Sequence, residues 1–219
     1  MKRLIVICEG ETEQEFCKDV LLPHLLGFEI SIETPLIKKS MGGIVAWKYL
    51  KSQIMLHLKE DVYVSMLIDY YGINSHHHFP MWDESKLIAN RIEKMSFLEN
   101  AMLEDIEERF RYRFIPYIQL HEFEGLLFNN IESFKDIISA KEFTNIQELE
   151  ETINAFENPE LINDGPNTSP SKRLVRLIIG YNKIVYGAIL AQEIGLKKIR
   201  TKAVRFNEWL SKIEKLKWD

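Results

Sequence analysis

Carboxylates at three distant places in the 219-residue chain each follow an apolar run. Glu9 follows Leu4-Ile5-Val6-Ile7-Cys8, Asp69 follows Val62-Tyr63-Val64-Ser65-Met66-Leu67-Ile68, and Glu122 and Glu124 follow the stretch from Phe114 to His121. Such runs read as strands buried on both faces. Parallel strands deliver their carboxyl ends to one edge, which is where open α/β sheets bind ligands. Acids gathered at that edge repel one another unless a cation holds them together. Oxygen-only ligands suit Mg²⁺ or Mn²⁺ better than Zn²⁺, so a divalent-metal site is expected at this edge.

The nonapeptide CEGETEQEF, residues 8–16, holds four glutamates. Thr12 followed by Glu15 fits a capping box and predicts a helix start. Glu11 and Glu13 fall at the first turn, where the helix dipole favours negative charge; Glu13 is also a secondary site candidate. Glu9 lies too early to cap anything, and Gly10 beside it permits a sharp turn or close approach to a ligand. Further along, Ser171 is expected to cap a helix whose free N–H groups, with Lys172 and Arg173, form a phosphate site. The alternative for these two cations is a basic surface turn.

His121 reads either as a local base or minor ligand, or as a packed strand-end histidine. His76-His77-His78 reads as a solvated loop, because three consecutive residues do not easily converge on one ion. Cys8 and Cys17 read as buried reduced thiols, and no histidine partner marks Cys8 as a nucleophile. Gly42-Gly43 lacks the lysine of a Walker A loop. Phe206, Trp209 and Trp218 either stack on bases or form the inward face of an amphipathic helix.

The elements that must position these residues alternate. A strand over 3–8 is followed by a helix from Thr12 toward Gly27, with Pro23 bending or ending it. A short strand falls within 29–37, and Ile44, Trp47, Leu50, Ile54 and Leu58 recur at helical spacing before the strand ending at Asp69. After an irregular loop, Asp83 is expected to open one long helix running through Ile106. A fourth strand spans 111–124, its Pro116 marking an edge or a bulge. From about Leu126 the chain reads as helical, broken by the Pro-, Asn- and Gly-rich ENPELINDGPNTSPS. The expected fold class is α/β: a mostly parallel sheet of about four strands flanked by helices over 1–130, then a helical C-terminal portion over 131–219 packed on that core.

Formal net charge is −5 with 46% hydrophobic residues, ordinary for a soluble globule. The charge is unevenly placed: Pro170 to Asp219 holds 12 Lys and Arg against 4 Asp and Glu, whereas the preceding residues hold 16 against 29. A basic tail on an acidic body assigns phosphates to one part and a cation to the other, or is a solvated helical face. No apolar stretch approaches the ~20 residues of a spanning helix, and MKRLIVICEG meets acid too early for a secretory signal, so a cytoplasmic protein with no membrane association is expected.

CEGETEQEF resembles the E-G-x-T-E signature that opens Toprim domains of overcoming-lysogenization-defect (OLD) nucleases. With IDYYG, HEFEGLLF and PSKRL it forms an ordered set resembling the Toprim-like family called domain of unknown function 4276. The resemblance implies a Toprim-type fold in which Glu9 is a metal ligand or general acid/base and Asp69 opens the D-x-D motif. Tyr71 stands where that motif has its second aspartate, and Glu122 or Glu124 is the implied replacement. Lys172 is implied to neutralise charge on the phosphate. Resemblance also implies an ATPase protein partner and a role in defence against phages or mobile elements.

The expected function is therefore metal-dependent phosphodiester hydrolysis of nucleic acid, DNA or RNA, with Glu9 and Lys172 catalytic, and Glu9, Asp69, Glu122 and Glu124 holding Mg²⁺ or Mn²⁺. Gly10, Ser171, Lys172 and Arg173 would bind phosphate. Two alternatives stand beside it: a non-catalytic Toprim-like module that binds a partner protein, and a small-molecule phosphoesterase.

Overall fold

The computed structural model describes residues 1–38, 43–162, 165 and 167–216. Its centre is a parallel sheet. Strands β1 (Lys2–Cys8), β2 (Ile30–Glu33), β3 (Tyr63–Asp69), β4 (Phe114–Ile115) and β5 (Ile118–Gln119) lie in the order β2-β1-β3-β4, with β5 also pairing β3. All four pairings are parallel. Pro116 accounts for the split of the expected fourth strand: it has no N–H to give to the ladder, so pairing stops at Ile115 and resumes at Ile118.

Alternation along β1 sorts side chains between two layers. Leu4, Val6 and Cys8 face one apolar cluster, Ile5 and Ile7 the other, and all five are buried. The smaller layer receives α3 (Trp47–Leu58) through Trp47, Leu50, Ile54 and Leu58. It also takes Trp82 of α4 (Trp82–Ser85) and Met95, Leu98 and Met102 of α5 (Arg91–Glu104). The single long helix expected from Asp83 is thus two helices. Asn90 accepts the Ile92 and Glu93 N–H groups and starts α5 afresh, and Leu87, between the two, is left in solvent.

The larger layer receives the first helical stretch and most of the C-terminal half. The helix expected toward Gly27 is α1 (Glu11–Phe16), a π-helical turn (Cys17–Leu21) and α2 (Leu22–Leu26). Pro23 does not end it, because it sits in the first turn of α2, where a proline costs little. Against the same face pack α6 (Ile131–Ile137), α7 (Ile146–Ala155), α8 (Pro170–Leu177), α9 (Lys183–Ile194), α10 (Leu196–Lys202) and α11 (Val204–Glu214). One apolar cluster runs from Leu4 to Ile213, so both halves of the chain share a core. Each Leu, Ile or Phe fully buried there stabilises by about 1.5–3 kcal/mol.

Phe206 and Trp209 of α11 are buried, which is the inward-facing alternative; Trp218 and Gly42 lie outside the described residues. Trp209 Nε1–H donates to Ser65 Oγ (2.8 Å), and that hydroxyl donates to the Ile115 carbonyl (2.7 Å), so the polar residue in β3 is satisfied. No described helix is long and apolar enough to cross a membrane.

Close approach of α9 to α1 depends on Gly187. A Cβ at that position would lie 2.8 Å from Thr12 Cγ2 and 3.4 Å from the Phe123 ring. We expect Gly187→Ala to lower stability by roughly 1–3 kcal/mol through overpacking, despite the helix propensity gained, and to move the start of α9 away from α1. Denaturant unfolding measures the first effect; a gain in stability would show that the two helices have room to spare.

Candidate active site at the carboxyl edge of the sheet

The register of β1 on β3 pairs Cys8 with Leu67. Glu9 and Asp69 therefore leave the sheet side by side. Asp69 N–H donates to Glu9 Oε2 (2.8 Å), and Glu9 N–H donates to the Leu67 carbonyl (3.1 Å). Backbone closes over the other carboxylate oxygen: a Cβ on Gly72, in the 3-10 turn after β3, would lie 3.0 Å from Glu9 Oε1. Gly43, at φ +102, passes the same oxygen with room for a Cβ at 4.0 Å. Gly72 thus serves close approach, and Gly43 serves a backbone conformation that side chains disfavour.

The cap of α1 differs from the expected one. Gly10 is the N-cap, and Glu13 at the third helical position accepts the Gly10 N–H (2.9 Å). The expected pair Thr12 and Glu15 fails because the cap lies two residues earlier and the helix starts at Glu11; Glu15 instead pairs with Lys18 (2.8 Å) and Thr12 is buried against α9. Glu13 is thereby buried and turned toward the strand ends.

A cleft of about 440 Å³ opens here, lined in part by Glu9, Gly10, Glu13, Asp69 and Lys183. Its electrostatics are those of crowded acid. Burial pushes Glu9 up to about 7, with Glu13 adding to the rise, while the Asp69 N–H and Lys183 oppose it. Glu13 is raised by burial. Asp69 is raised well above the carboxylate range, first by burial and then by Glu13, Glu9, Glu124 and Glu122. Its Oδ1 is buried with no hydrogen-bond partner among the described residues. Burial also lifts Glu124 to about 7, Glu122 and Glu13 add to it, and Lys183 again opposes. Glu9, Glu13 and Asp69 line the cleft together with Lys183 as its cation, whereas Glu122 and Glu124 are not among its lining residues and act on Asp69 through their charge.

Not every expected residue joins the set on equal terms. Both Glu122 oxygens are engaged by Ser171, one by its N–H and one by its hydroxyl (2.9 Å each). The helix start read as a phosphate site is thus filled by this protein's own carboxylate. The N-cap is Ser169, with Pro170 first in the helix, so Ser171 is the second helical residue rather than the cap. Lys172 is exposed, and Arg173 reaches the Thr168 carbonyl (2.8 Å) and Thr152 Oγ1 (3.4 Å); neither lines the cleft. His121 is buried at φ 68, its Nε2 2.7 Å from the Arg91 guanidinium and its carbonyl accepting the Tyr71 N–H (3.1 Å). Tyr71 is exposed at the rim, and His76 and His78 are exposed. Cys8 and Cys17 are buried free thiols with sulfurs 3.9 Å apart.

Sequence reasoning missed Lys183 and Gly72. Asn182, whose side chain accepts the Ile184 and Val185 N–H groups, was a readable start for α9. Nothing local places that start opposite Glu9; only packing through Gly187 does. Among the described residues no group of three or more His, Cys, Asp or Glu stands arranged to hold a metal ion.

The family model described as Domain of unknown function (DUF4276) matches residues 8–214. No curated protein and no solved structure matches the chain.

A native carboxylate raised from about 4.5 to about 7 binds protons that the unfolded chain releases. Its contribution is therefore fully present below pH ~4.5 and lost as pH climbs through ~7. For metal-free protein, urea unfolding at pH 5, 6, 7 and 8 is expected to show stability falling over the series, with a shallower fall in Glu9→Gln. A stability that climbs over this interval would contradict the buried-acid cluster.

Proposed function

Taking as premise that the chain belongs to the domain of unknown function 4276 family, we propose that it hydrolyses phosphodiester bonds in nucleic acid with Mg²⁺ or Mn²⁺. The observation supporting this most strongly is the buried, unpartnered Asp69 Oδ1 beside Glu9 and Glu13. An all-oxygen, carboxylate-rich donor set suits a hard divalent cation, whose charge would offset the burial and mutual repulsion that raise the pKa values of these acids. Glu9 and Asp69 would hold the ion, with Glu13 alongside. When bound, the ion supplies Lewis acidity to the phosphate and acidifies a water.

The chain's own groups then divide the work. Glu9, buried beside Asp69 and ionised once a cation is bound, would orient the attacking water next to the ion. The Asp69 N–H keeps Glu9 Oε2 fixed while this happens. Glu13 would supply the acid that Tyr71 withholds, since it is buried and lines the same cleft as Glu9 and Asp69. Lys183, at the mouth of the cleft, meets the phosphate that the sequence had assigned to Lys172 and Arg173. Glu122, tied to Ser171 through both oxygens, anchors α8 instead of binding an ion.

A second reading is a non-catalytic module that binds a partner protein. Two carboxylates already accept backbone N–H groups, Glu9 from Asp69 and Glu13 from Gly10, and those bonds hold the edge together without an ion.

Purified protein assayed with Mg²⁺ or Mn²⁺ on single- and double-stranded DNA, RNA and bis(4-nitrophenyl) phosphate separates these readings. We expect metal-dependent cleavage that falls roughly 10²-fold or more in Glu9→Gln and Asp69→Asn, and changes little in Lys172→Met. Undiminished cleavage by Glu9→Gln would refute the assignment, and absence of divalent binding by calorimetry would leave the partner-binding module.

A further inference from the structure

One short turn governs both oxygens of Glu9. Asp69, at its start, gives its N–H to Oε2 (2.8 Å). Gly72, at its end, passes the carboxylate so closely that a Cβ there would lie 3.0 Å from Oε1 and 3.8 Å from Cδ, with Ile44 Cγ2 at 3.6 Å. Conformation does not demand a glycine here. Gly72 closes a 3-10 turn and does not have a positive φ, so the backbone alone would admit a side chain and only the neighbours exclude one. Nor is the turn free to back away. The Tyr70 ring packs on Trp82 with centroids 5.7 Å apart, the Tyr71 N–H donates to the His121 carbonyl (3.1 Å), and the N–H of buried Ile73 donates to the Tyr70 carbonyl (3.0 Å).

We propose that Gly72 is a positioning residue for Glu9: its bare Cα lets Oε1 stand in the cleft as the oxygen that meets a divalent cation, while the Asp69 N–H keeps Oε2 back. The inference rests on the metal-dependent reading above. Gly43, which lines the cleft, lies on the same oxygen's side, with a Cβ position 4.0 Å from Oε1. With the turn anchored, a methyl at 72 would displace the end of the Glu9 side chain and leave the backbone in place. The loss then falls on ion binding more than on folding. Residues that orient a metal ligand from outside typically change affinity by about 10–100-fold.

The test compares the full chain as wild type and as Gly72→Ala in two measurements. Mn²⁺ affinity is read from the paramagnetic resonance signal of free Mn²⁺, and exchange of the Asp69 amide hydrogen in metal-free protein is read by NMR. We expect a 10- to 100-fold weaker Mn²⁺ Kd in Gly72→Ala, faster exchange of the Asp69 amide as the displaced carboxylate draws Oε2 away, and a metal-free melting temperature unchanged or raised. An unaltered Kd, or a weaker Kd with Asp69 exchange as in wild type, overturns the positioning role while leaving the metal site standing. Should Gly72→Ala fail to fold, its combination with Glu9→Asp is expected to fold, because the shorter side chain withdraws from the methyl; failure of that pair as well overturns the proposal. A folded wild-type protein that binds no Mn²⁺ defeats the metal-dependent reading, and this inference with it.

Discussion

The parallel register between β1 and β3 is the constraint from which the site follows. Pairing Cys8 with Leu67 makes Glu9 and Asp69 adjacent, whatever their electrostatic preference. The register is in turn fixed by burial: moving β1 by one residue would exchange Leu4, Val6 and Cys8 with Ile5 and Ile7 between two differently shaped layers. Apolar packing on both faces outweighs the repulsion it imposes at the edge. The repulsion is reduced locally, by the Asp69 N–H on Glu9, the Gly10 N–H on Glu13, Lys183, and protonation of acids whose pKa values burial has raised.

The C-terminal half completes that edge. Gly187 lets α9 lie against Thr12 and Phe123, and through this contact Lys183 arrives opposite Glu9, more than 100 residues earlier in the chain. On the other side, Glu122 reaches Ser171 and ties the end of the β5 segment to α8. Arg205 and Glu160 extend the attachment deeper. The Arg205 and Phe206 N–H groups donate to Glu160 (2.9 and 3.2 Å), and the Arg205 guanidinium pairs with Glu99 on α5. Buried ion pairs of this sort contribute little net stability when intact and are strongly destabilising when broken, so their effect is to restrict how α11 can sit.

What was legible in the sequence follows from which interactions are local. Apolar runs ending in acid gave the strands and the edge, because burial on both faces of a parallel sheet leaves a continuous signature. Asn90 and Asn182 were readable caps, and Asn90 would have divided the helix expected from Asp83. The cap of α1 was misread by two residues: Gly10 caps without a side chain, so Thr12 and Glu15 imitated a box that Glu13 makes with the Gly10 N–H. The α8 phosphate site was misplaced for a different reason. Nothing near PSKRL announces that Glu122, 49 residues away, takes its N–H. Lys183 gains its position from helix packing alone, which no spacing encodes.

Two cationic features therefore compete for the same meaning, and geometry separates them. A helix N-terminus attracts whichever anion reaches it first. At α8 that anion is internal and held by two hydrogen bonds, and Arg173 is turned toward α7, which leaves Lys172 in solvent with no anchored neighbour to define a phosphate position. At α9 the N-cap side chain already satisfies two N–H groups, so the local cation is the side chain of Lys183 rather than the dipole. A flexible ammonium at the mouth of an acidic cleft can lower the carboxylates' pKa values when no other cation is present and turn to a phosphate when one is. On the proposed reading, loading is ordered: a divalent ion first relieves the acids, and only then is Lys183 free to meet a negatively charged substrate.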